Sequence, residues 1–326
     1  MLNETTIIGR LCRVIPSRGI GDDAAIVRLP RNREWVVSTD SFIEGVHFKA
    51  GLHLPDSVGY KALMRAASDL AAMGAEPRTF LLALSVPSRR TGLWLDAFAL
   101  GMSAAAKWLR MRLIGGDVSR NDRIVATLTV MGETRVGRAL TRSGARPGDG
   151  LYVSGWLGAA QAGLEYLLSR GKWAYASESY SLGRHLYPEA RVDLGEWLAD
   201  HKFASSALDL SDGLSTDLAR LCAASKVGAV VRAESLPIRL EPMKHGRRAS
   251  RPSANRAALR RALHGGEDYE LLFTVPPRLA SRIPRHFQGS PITRIGEITS
   301  KRSVRLIDEN GHGQVLKARG WDHFSR

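Results

Sequence analysis

Only two of the 326 residues are cysteines, Cys12 and Cys222, and they lie far apart and outside any metal-ligand spacing. That scarcity excludes a disulfide framework and a thiolate metal site, and it fits a reducing cytosol. No stretch approaches the roughly 20 apolar residues that cross a bilayer. The first residues, MLNETTIIGRLCRVIPSR, contain no continuous apolar run of the secretory kind, so a cytoplasmic protein is expected. Aromatic residues make up 7% of the chain and are missing from its densest basic run, residues 239–261. That run carries Lys244, Arg247, Arg248, Arg251, Arg256, Arg260 and Arg261 within a net charge of +15. Nucleic-acid strands are held by cations interleaved with stacking rings. The run therefore reads as a solvated loop and helix face, with neither nucleic acid nor membrane expected as a partner. Also missing are G-x-x-x-x-G-K-[ST] and the H-R-D and D-F-G sequences, which excludes Walker-type NTPases and protein kinases. The single GIG at residues 19–21 is too short for a dinucleotide fingerprint.

What remains is ordinary globular material, 44% hydrophobic and 24% charged. The length fits two domains of about 150 residues each. Turn formers concentrate at residues 132–150, around SGARPGDG, which divides the chain into 1–137 and 138–326. Before that boundary, apolar patterning predicts strands at 24–29, 35–39, 79–86, 112–114 and 123–131, with helices over about 56–73 and 94–109. After it come a strand at 151–153, a helix at 157–167 and a loosely helical stretch at 170–200. A strand at 207–210 enters Ser211-Asp212-Gly213, followed by a helix at 214–222 and a strand at 228–232. Gly265-Gly266-Glu267-Asp268 opens a strand at 269–275, and two short strands and an aromatic tail at 321–324 finish the chain. Alternating strands and helices define an α/β class.

Carboxylates recur where strands run into turns: Asp22, Asp23, Asp40, Asp117, Asp209, Asp212, Glu267 and Asp268. Asp69 joins them from the edge of the apolar helical stripe Val58, Ala62, Ala66, Leu70 and Met73. Loop mouths above a sheet are where α/β proteins place their sites. Converging acids repel one another unless cations lie between them. Oxygen ligands without His or Cys clusters favour Mg²⁺, which binds to few carboxylates together with substrate phosphates. Gly115-Gly116 and Gly265-Gly266 permit close backbone approach to a phosphate, although a glycine pair is often only a turn. Residues alone thus reach a Mg²⁺-dependent, phosphate-handling α/β enzyme.

Eight motifs carry the reading further: GIGDDAAIV, VVSTDSFIEGVHF, SDLAAMGAEP, LIGGD, RALTRSGARPGD, LDLSDGLSTDLARL, GGEDYELLFTVP and GWDHF, in this order over residues 19–324. The chain resembles the thiamine-monophosphate kinases, within the aminoimidazole ribonucleotide synthetase superfamily. The resemblance implies an N-terminal mixed sheet with flanking helices that pairs in a homodimer, followed by a C-terminal α/β domain. It implies direct in-line transfer of the ATP γ-phosphoryl group to thiamine monophosphate with several Mg²⁺ ions. The metal ligands implied are Asp23, Ser38, Thr39, Asp40, Asp69, Asp117, Asp209 and Asp212, with Asp117 and Asp40 the catalytic pair. Gly116, Arg142 and Ser211 would meet ATP, and His47, Glu267 and Trp321 the thiamine phosphate. Ala66-Ala67-Ser68-Asp69 and Gly116-Asp117-Val118-Ser119 depart from Asn- and Thr-bearing versions of the family, which touches minor polar contacts only. Plainer roles compete: Asp22 and Asp268 as caps, His47 as a structural hydrogen-bonding residue, and Trp321 as a C-terminal anchor. Rival functions are another ATP-using superfamily member, such as a purine-biosynthetic cyclo-ligase, and a basic nucleic-acid-binding protein.

Overall fold

The structure, a computed structural model, describes residues 4–16, 30–176, 178–239, 252–322 and 324. Asp22, Asp23 and the strand expected at 24–29 lie outside the described residues, as do Lys244, Arg247, Arg248 and Arg251. The chain divides into two compact units, one of Met1–Ala71 with Ala75–Ala139 and one of Ala72–Gly74 with Leu140–Arg326.

The first unit contains α1 (Glu4–Val14), β1 (Arg33–Ile43), α2 (Pro55–Ala72), β2 (Glu76–Val86), α3 (Leu93–Trp108), β3 (Arg112–Arg120) and β4 (Val125–Arg135). Its four described strands are ordered β1-β4-β2-β3. β2 and β3 run parallel around α3, and β4 is antiparallel to both of its neighbours, β1 and β2. Strand residues alternate between faces, and here the alternation is complete. Phe42, Phe80, Leu82, Leu84, Ala126, Leu128 and Val130 are buried on one side. Thr39, Leu81, Ala83, Thr127, Thr129 and the 57%-exposed Val37 stand on the other. Helix α2 covers the buried side, where Phe42 carries the Arg65 guanidinium 5.2 Å from its ring centre. Helices α2 and α3 touch through glycine, since a Cβ on Gly101 would lie 1.8 Å from the Asp56 carbonyl oxygen.

One sequence expectation changes here. Gly115-Gly116-Asp117 is not a turn after a short strand; it continues β3, past an irregularity that leaves Ile114 without a partner on β2. Pairing to Leu82 explains Gly116, whose Cβ would sit 1.9 Å from the Leu82 oxygen.

The second unit contains β5 (Gly150–Ser154), α4 (Ala159–Arg170), α5 (Tyr180–Leu186), α6 (Val192–Asp200), β6 (Ser206–Asp209), α7 (Leu214–Ser225), β7 (Gly228–Arg232), α8 (Pro252–His264), β8 (Leu271–Val275), β9 (His286–Phe287), β10 (Ser290–Thr299), β11 (Val304–Ile307) and β12 (Gly313–Val315). The sheet order is β12-β11-β7-β10-β5-β8-β6, with β9 paired to β10. Leu151, Val153, Leu208, Leu218, Leu221, Val231, Leu272 and Ile295 belong to one continuous core. Apolar runs on β5, β6 and β8 are buried throughout, as strands covered on both faces must be. Among the described residues four strands follow β8 where two were expected, and the β8 strand begins at Leu271, two residues later than the pattern indicated. Glu267 and Tyr269 explain the delay: their φ angles of 68° and 49° lie in the left-handed region that a strand cannot include.

Candidate active site

In the first unit, α2 brings its polar residues over β1. Ser38 Oγ donates to Asp69 Oδ2 at 2.5 Å. Asp40 is held by both arms of Arg65, Nη2 to Oδ1 at 3.0 Å and Nε to Oδ2 at 2.7 Å. Ser38 and Asp40 share the helix-covered face because they are two residues apart. Thr39 is turned to the opposite face, where its hydroxyl bonds to Leu128 O and Thr129 Oγ1, both at 3.2 Å. Asp117 also stands on that opposite face, since its partner in the register is Ala83. Asp40 is level with Leu128, and Leu128 with Leu82, which faces Gly116. Three strand spacings, roughly 14 Å, and the thickness of the sheet therefore separate Asp40 from Asp117. Ser38, Asp40 and Asp69 are brought together; Thr39 and Asp117 are not brought to them. His47 accepts a hydrogen bond from Ile43 N at Nδ1, 3.0 Å, and stacks on Phe42, so it closes the turn after β1.

In the second unit, three separate segments meet at the turn between β6 and α7. Asp209 ends β6, 5% exposed. Glu267 N donates to Ser211 O at 2.8 Å, and Trp321 N donates to Asp212 O at 2.9 Å. The loop before β8 and the C-terminal segment thus both dock by backbone on Ser211-Asp212. Gly320 makes the second docking possible, for a Cβ there would lie 2.0 Å from Asp212 O. Glu267 Oε2 lies 3.3 Å from Nδ1 of the buried His185. Trp321 is 47% exposed, so its ring is not a buried anchor. Asp212 is paired with Arg220, Nη1 to Oδ2 at 2.5 Å. Arg142 is exposed, and its carbonyl accepts from Ser225 Oγ at 2.9 Å.

Several residues of these clusters escape a sequence reading. Asp217 accepts the N–H groups of Asp212 and Gly213, both at 3.0 Å, and pairs with Arg220 at 2.9 Å. Burial, followed by the neighbouring Asp212 charge, pushes its pKa up to about 6. Its i,i+3 spacing to Arg220 was a usable signal. Asp268 is a cap, though of α4 rather than of its own strand: its oxygens accept from Gly158 N at 2.7 Å and Ala160 N at 3.2 Å. Burial raises its pKa to about 7. Glu270 and Arg191 form a two-armed buried pair at 2.6 Å, for which the sequence offers no signal because 79 residues separate them.

Among the described residues no group of three or more His, Cys, Asp or Glu side chains is gathered closely enough to hold a metal ion. The donor chemistry nevertheless suits Mg²⁺, two carboxylates with a hydroxyl on one sheet face in the first unit and Asp209 with Asp212 in the second. An ion that takes one or two carboxylates and completes its shell with water and phosphate needs no more. Among the described residues no helix is long and apolar enough to cross a membrane.

Two α/β units, with acids on the strands of the first and at the end of β6 in the second, place the chain in a known class. Residues 21–134 match AIR synthase related protein, N-terminal domain, and residues 146–309 match AIR synthase related protein, C-terminal domain. Over 319 residues, 97% of this chain and 94% of the other, it is 40% identical to a thiamine-monophosphate kinase of Escherichia coli strain K12. The crystal structure of thiamine-monophosphate kinase from Stenotrophomonas maltophilia K279a is similar at a TM-score of 0.77 and 37% identity, covering 93% of this chain and 94% of that one. A structure of AaThiL complexed with AMPPCP and TMP is similar at a TM-score of 0.76 and 31% identity, covering 98% and 96%. The chain belongs to the thiamine-monophosphate kinase family of AIR synthase related proteins.

Proposed function

We propose that this chain phosphorylates thiamine monophosphate with ATP, making it a phosphotransferase with a phosphate group as acceptor. The bond from the γ-phosphorus to the β-phosphate oxygen breaks, a bond to an oxygen of the acceptor phosphate forms, and ADP and thiamine diphosphate leave. What carries the reading is the convergence on Ser211-Asp212 of the Glu267 loop and the Trp321 segment, in a chain whose relatives of this family match it almost end to end. An exposed indole at that position suits a flat, cationic ring. Glu267, in a left-handed backbone conformation that costs about 1–3 kcal/mol, is held where the loop needs it by its bond to Ser211.

Phosphoryl transfer of this kind asks for positioning and charge neutralisation more than for a base, because the acceptor phosphate is already anionic near neutral pH. In this reading Ser38, Asp40, Asp69, Asp209 and Asp212 hold Mg²⁺, together with Asp23, while Thr39 and Asp117 hold it on the other face of the first sheet. When bound, Mg²⁺ neutralises the phosphate oxygens across which the transfer takes place. Arg65 orients Asp40, and Ser38 orients Asp69. Gly116, Arg142 and Ser211 serve ATP; His47, Glu267 and Trp321 serve the thiamine phosphate. A homodimer fits the sheet of the first unit, whose face bearing Val37, Leu81, Ala83 and Met131 is not covered by α2. Asp117 stands on that face, so pairing there would set it against a second copy. A cytoplasmic enzyme is consistent with this chemistry and with its nucleotide co-substrate.

The test is one assay: purified protein with ATP, Mg²⁺ and thiamine monophosphate, with thiamine phosphates separated by chromatography. Thiamine diphosphate is expected from the wild type, and an Asp117→Asn variant is expected to lose on the order of a hundredfold in rate, as removal of one electrostatic contact commonly does. Folded, ATP-binding wild type that makes no thiamine diphosphate would overturn the assignment. An equally active variant would remove Asp117 from the mechanism.

A further inference from the structure

The basic run at residues 239–261 has no part in the kinase reading, yet three of its described arginines, Arg256, Arg260 and Arg261, lie on α8. His264 lies four residues after Arg260 and three after Arg261, so each arginine neighbours it on the helix surface. With Gln161 and Glu165 of α4, Gly265 and Arg319 they line a pocket of about 380 Å³. Its one carboxylate, Glu165, is engaged by Arg261, Nε to Oε2 at 2.8 Å. Among the described residues neither Arg260 nor Arg319 has an ion pair, and both guanidiniums line the pocket.

Arg319 is seated on a fixed support. Ser215 Oγ lies 2.8 Å from His264 Nδ1 and accepts from Arg319 N at 3.2 Å, so one hydroxyl joins α7, the end of α8 and the C-terminal segment. The field of the pair is felt within the pocket: burial first, then Arg319 and Arg260, hold His264 below its ordinary pKa. Like-charged guanidiniums lining one hollow repel each other, and an anion between them removes that cost. The planar guanidinium fork matches the oxygens of a phosphate with two parallel hydrogen bonds. The volume is at the lower end of that of small-molecule sites.

We propose that the pocket between α4, α8 and Arg319 is a second anion site, apart from the kinase site, which takes a small molecule bearing a diphosphate. Its walls explain why such a ligand would matter. Gly265 heads the loop that carries Glu267, and Arg319 stands two residues before Trp321. A diphosphate bridging Arg260 and Arg319 would tie those two segments together. That consequence rests on the kinase reading; the binding itself does not.

Inorganic pyrophosphate is titrated calorimetrically into the full chain at constant ionic strength, with EDTA present so that Mg²⁺-dependent phosphate binding is silent. One saturable site per chain is expected. An R260Q/R319Q double variant should bind at least tenfold more weakly, since charge-assisted hydrogen bonds are worth about a factor of ten or more each. Its thiamine diphosphate formation without added pyrophosphate should equal that of the wild type. ADP in place of pyrophosphate identifies the source, tighter ADP binding pointing to a nucleotide and tighter pyrophosphate binding to the free anion. No saturable binding, or equal affinity in wild type and double variant, overturns the site. So does loss of basal kinase activity in a folded double variant, because the arginines would then belong to the substrate site.

Discussion

Glu270 offers the sharpest test of how the second unit is held together. Its side chain is 1% exposed and its carboxylate is fully engaged. Ser154 Oγ donates at 2.6 Å, Arg184 Nη2 at 3.1 Å, and Arg191 Nε and Nη2 at 2.6 Å each. Glu270→Gln preserves the shape almost atom for atom and removes the charge. Arg184 and Arg191, with side chains only 10% and 14% exposed, then share the Glu189 carboxylate alone, which is 48% exposed and 3.3 and 3.1 Å away. Breaking a buried pair by removing one charge costs about 3–5 kcal/mol, because the remaining charge is uncompensated. The surviving contact with Glu189 places this case near the lower figure, about 3 kcal/mol. For a folding unit of this size each kcal/mol moves the melting temperature by about 2–4 °C. The transition of the second unit should therefore fall by roughly 6–12 °C in scanning calorimetry. A fall of less than about 2 °C would refute the reasoning, showing that the two guanidiniums reach solvent or other partners without cost.

Two further predictions concern packing and protonation. Gly101→Ala improves helix propensity by up to about 1 kcal/mol, yet its Cβ would meet the Asp56 carbonyl at 1.8 Å, so α2 and α3 must move apart. Overpacking of that kind costs about 1–3 kcal/mol, and urea unfolding should show a net loss; a more stable variant would mean that the helices do not cross there. Asp268, ordinarily ionised above about pH 4, holds its proton to about pH 7 when folded. The folded state thus binds the extra proton between those values, and stability falls as the pH rises through that window. Melting temperatures measured in parallel should show the advantage of wild type over Asp268→Asn shrinking from pH 4 to pH 7, and a constant difference would dismiss the raised pKa.

Much of this architecture was legible along the chain. The alternation that buries Phe42, Phe80, Leu82 and Leu128 on one side is a period-two pattern, and the α2 stripe from Val58 to Leu70 a helical one. Both are local, so they can be read without knowledge of any partner. The motifs around Ser211, Asp212 and Glu267 likewise marked places that the fold brings into contact. Helix α1 carries a signal of its own, Ile7, Leu11 and Ile15 buried at four-residue spacing; the late start of β8 was not legible, because Glu267 and Tyr269 take left-handed φ values where their N–H groups dock on Ser211 and Leu210.

By itself, then, the sequence determined the family, the acid-rich chemistry and the helical or extended character of most segments, since each depends on residues near one another in the chain. Tertiary structure alone decided which charges meet: Arg65 with Asp40, Arg191 with Glu270, and Arg319 with the end of α8. It also decided how far apart the predicted ligands lie across the sheet, because strand order puts β1 and β3 on opposite edges. Pairing partners in a sheet are chosen by burial over the whole unit, and no local pattern encodes that choice.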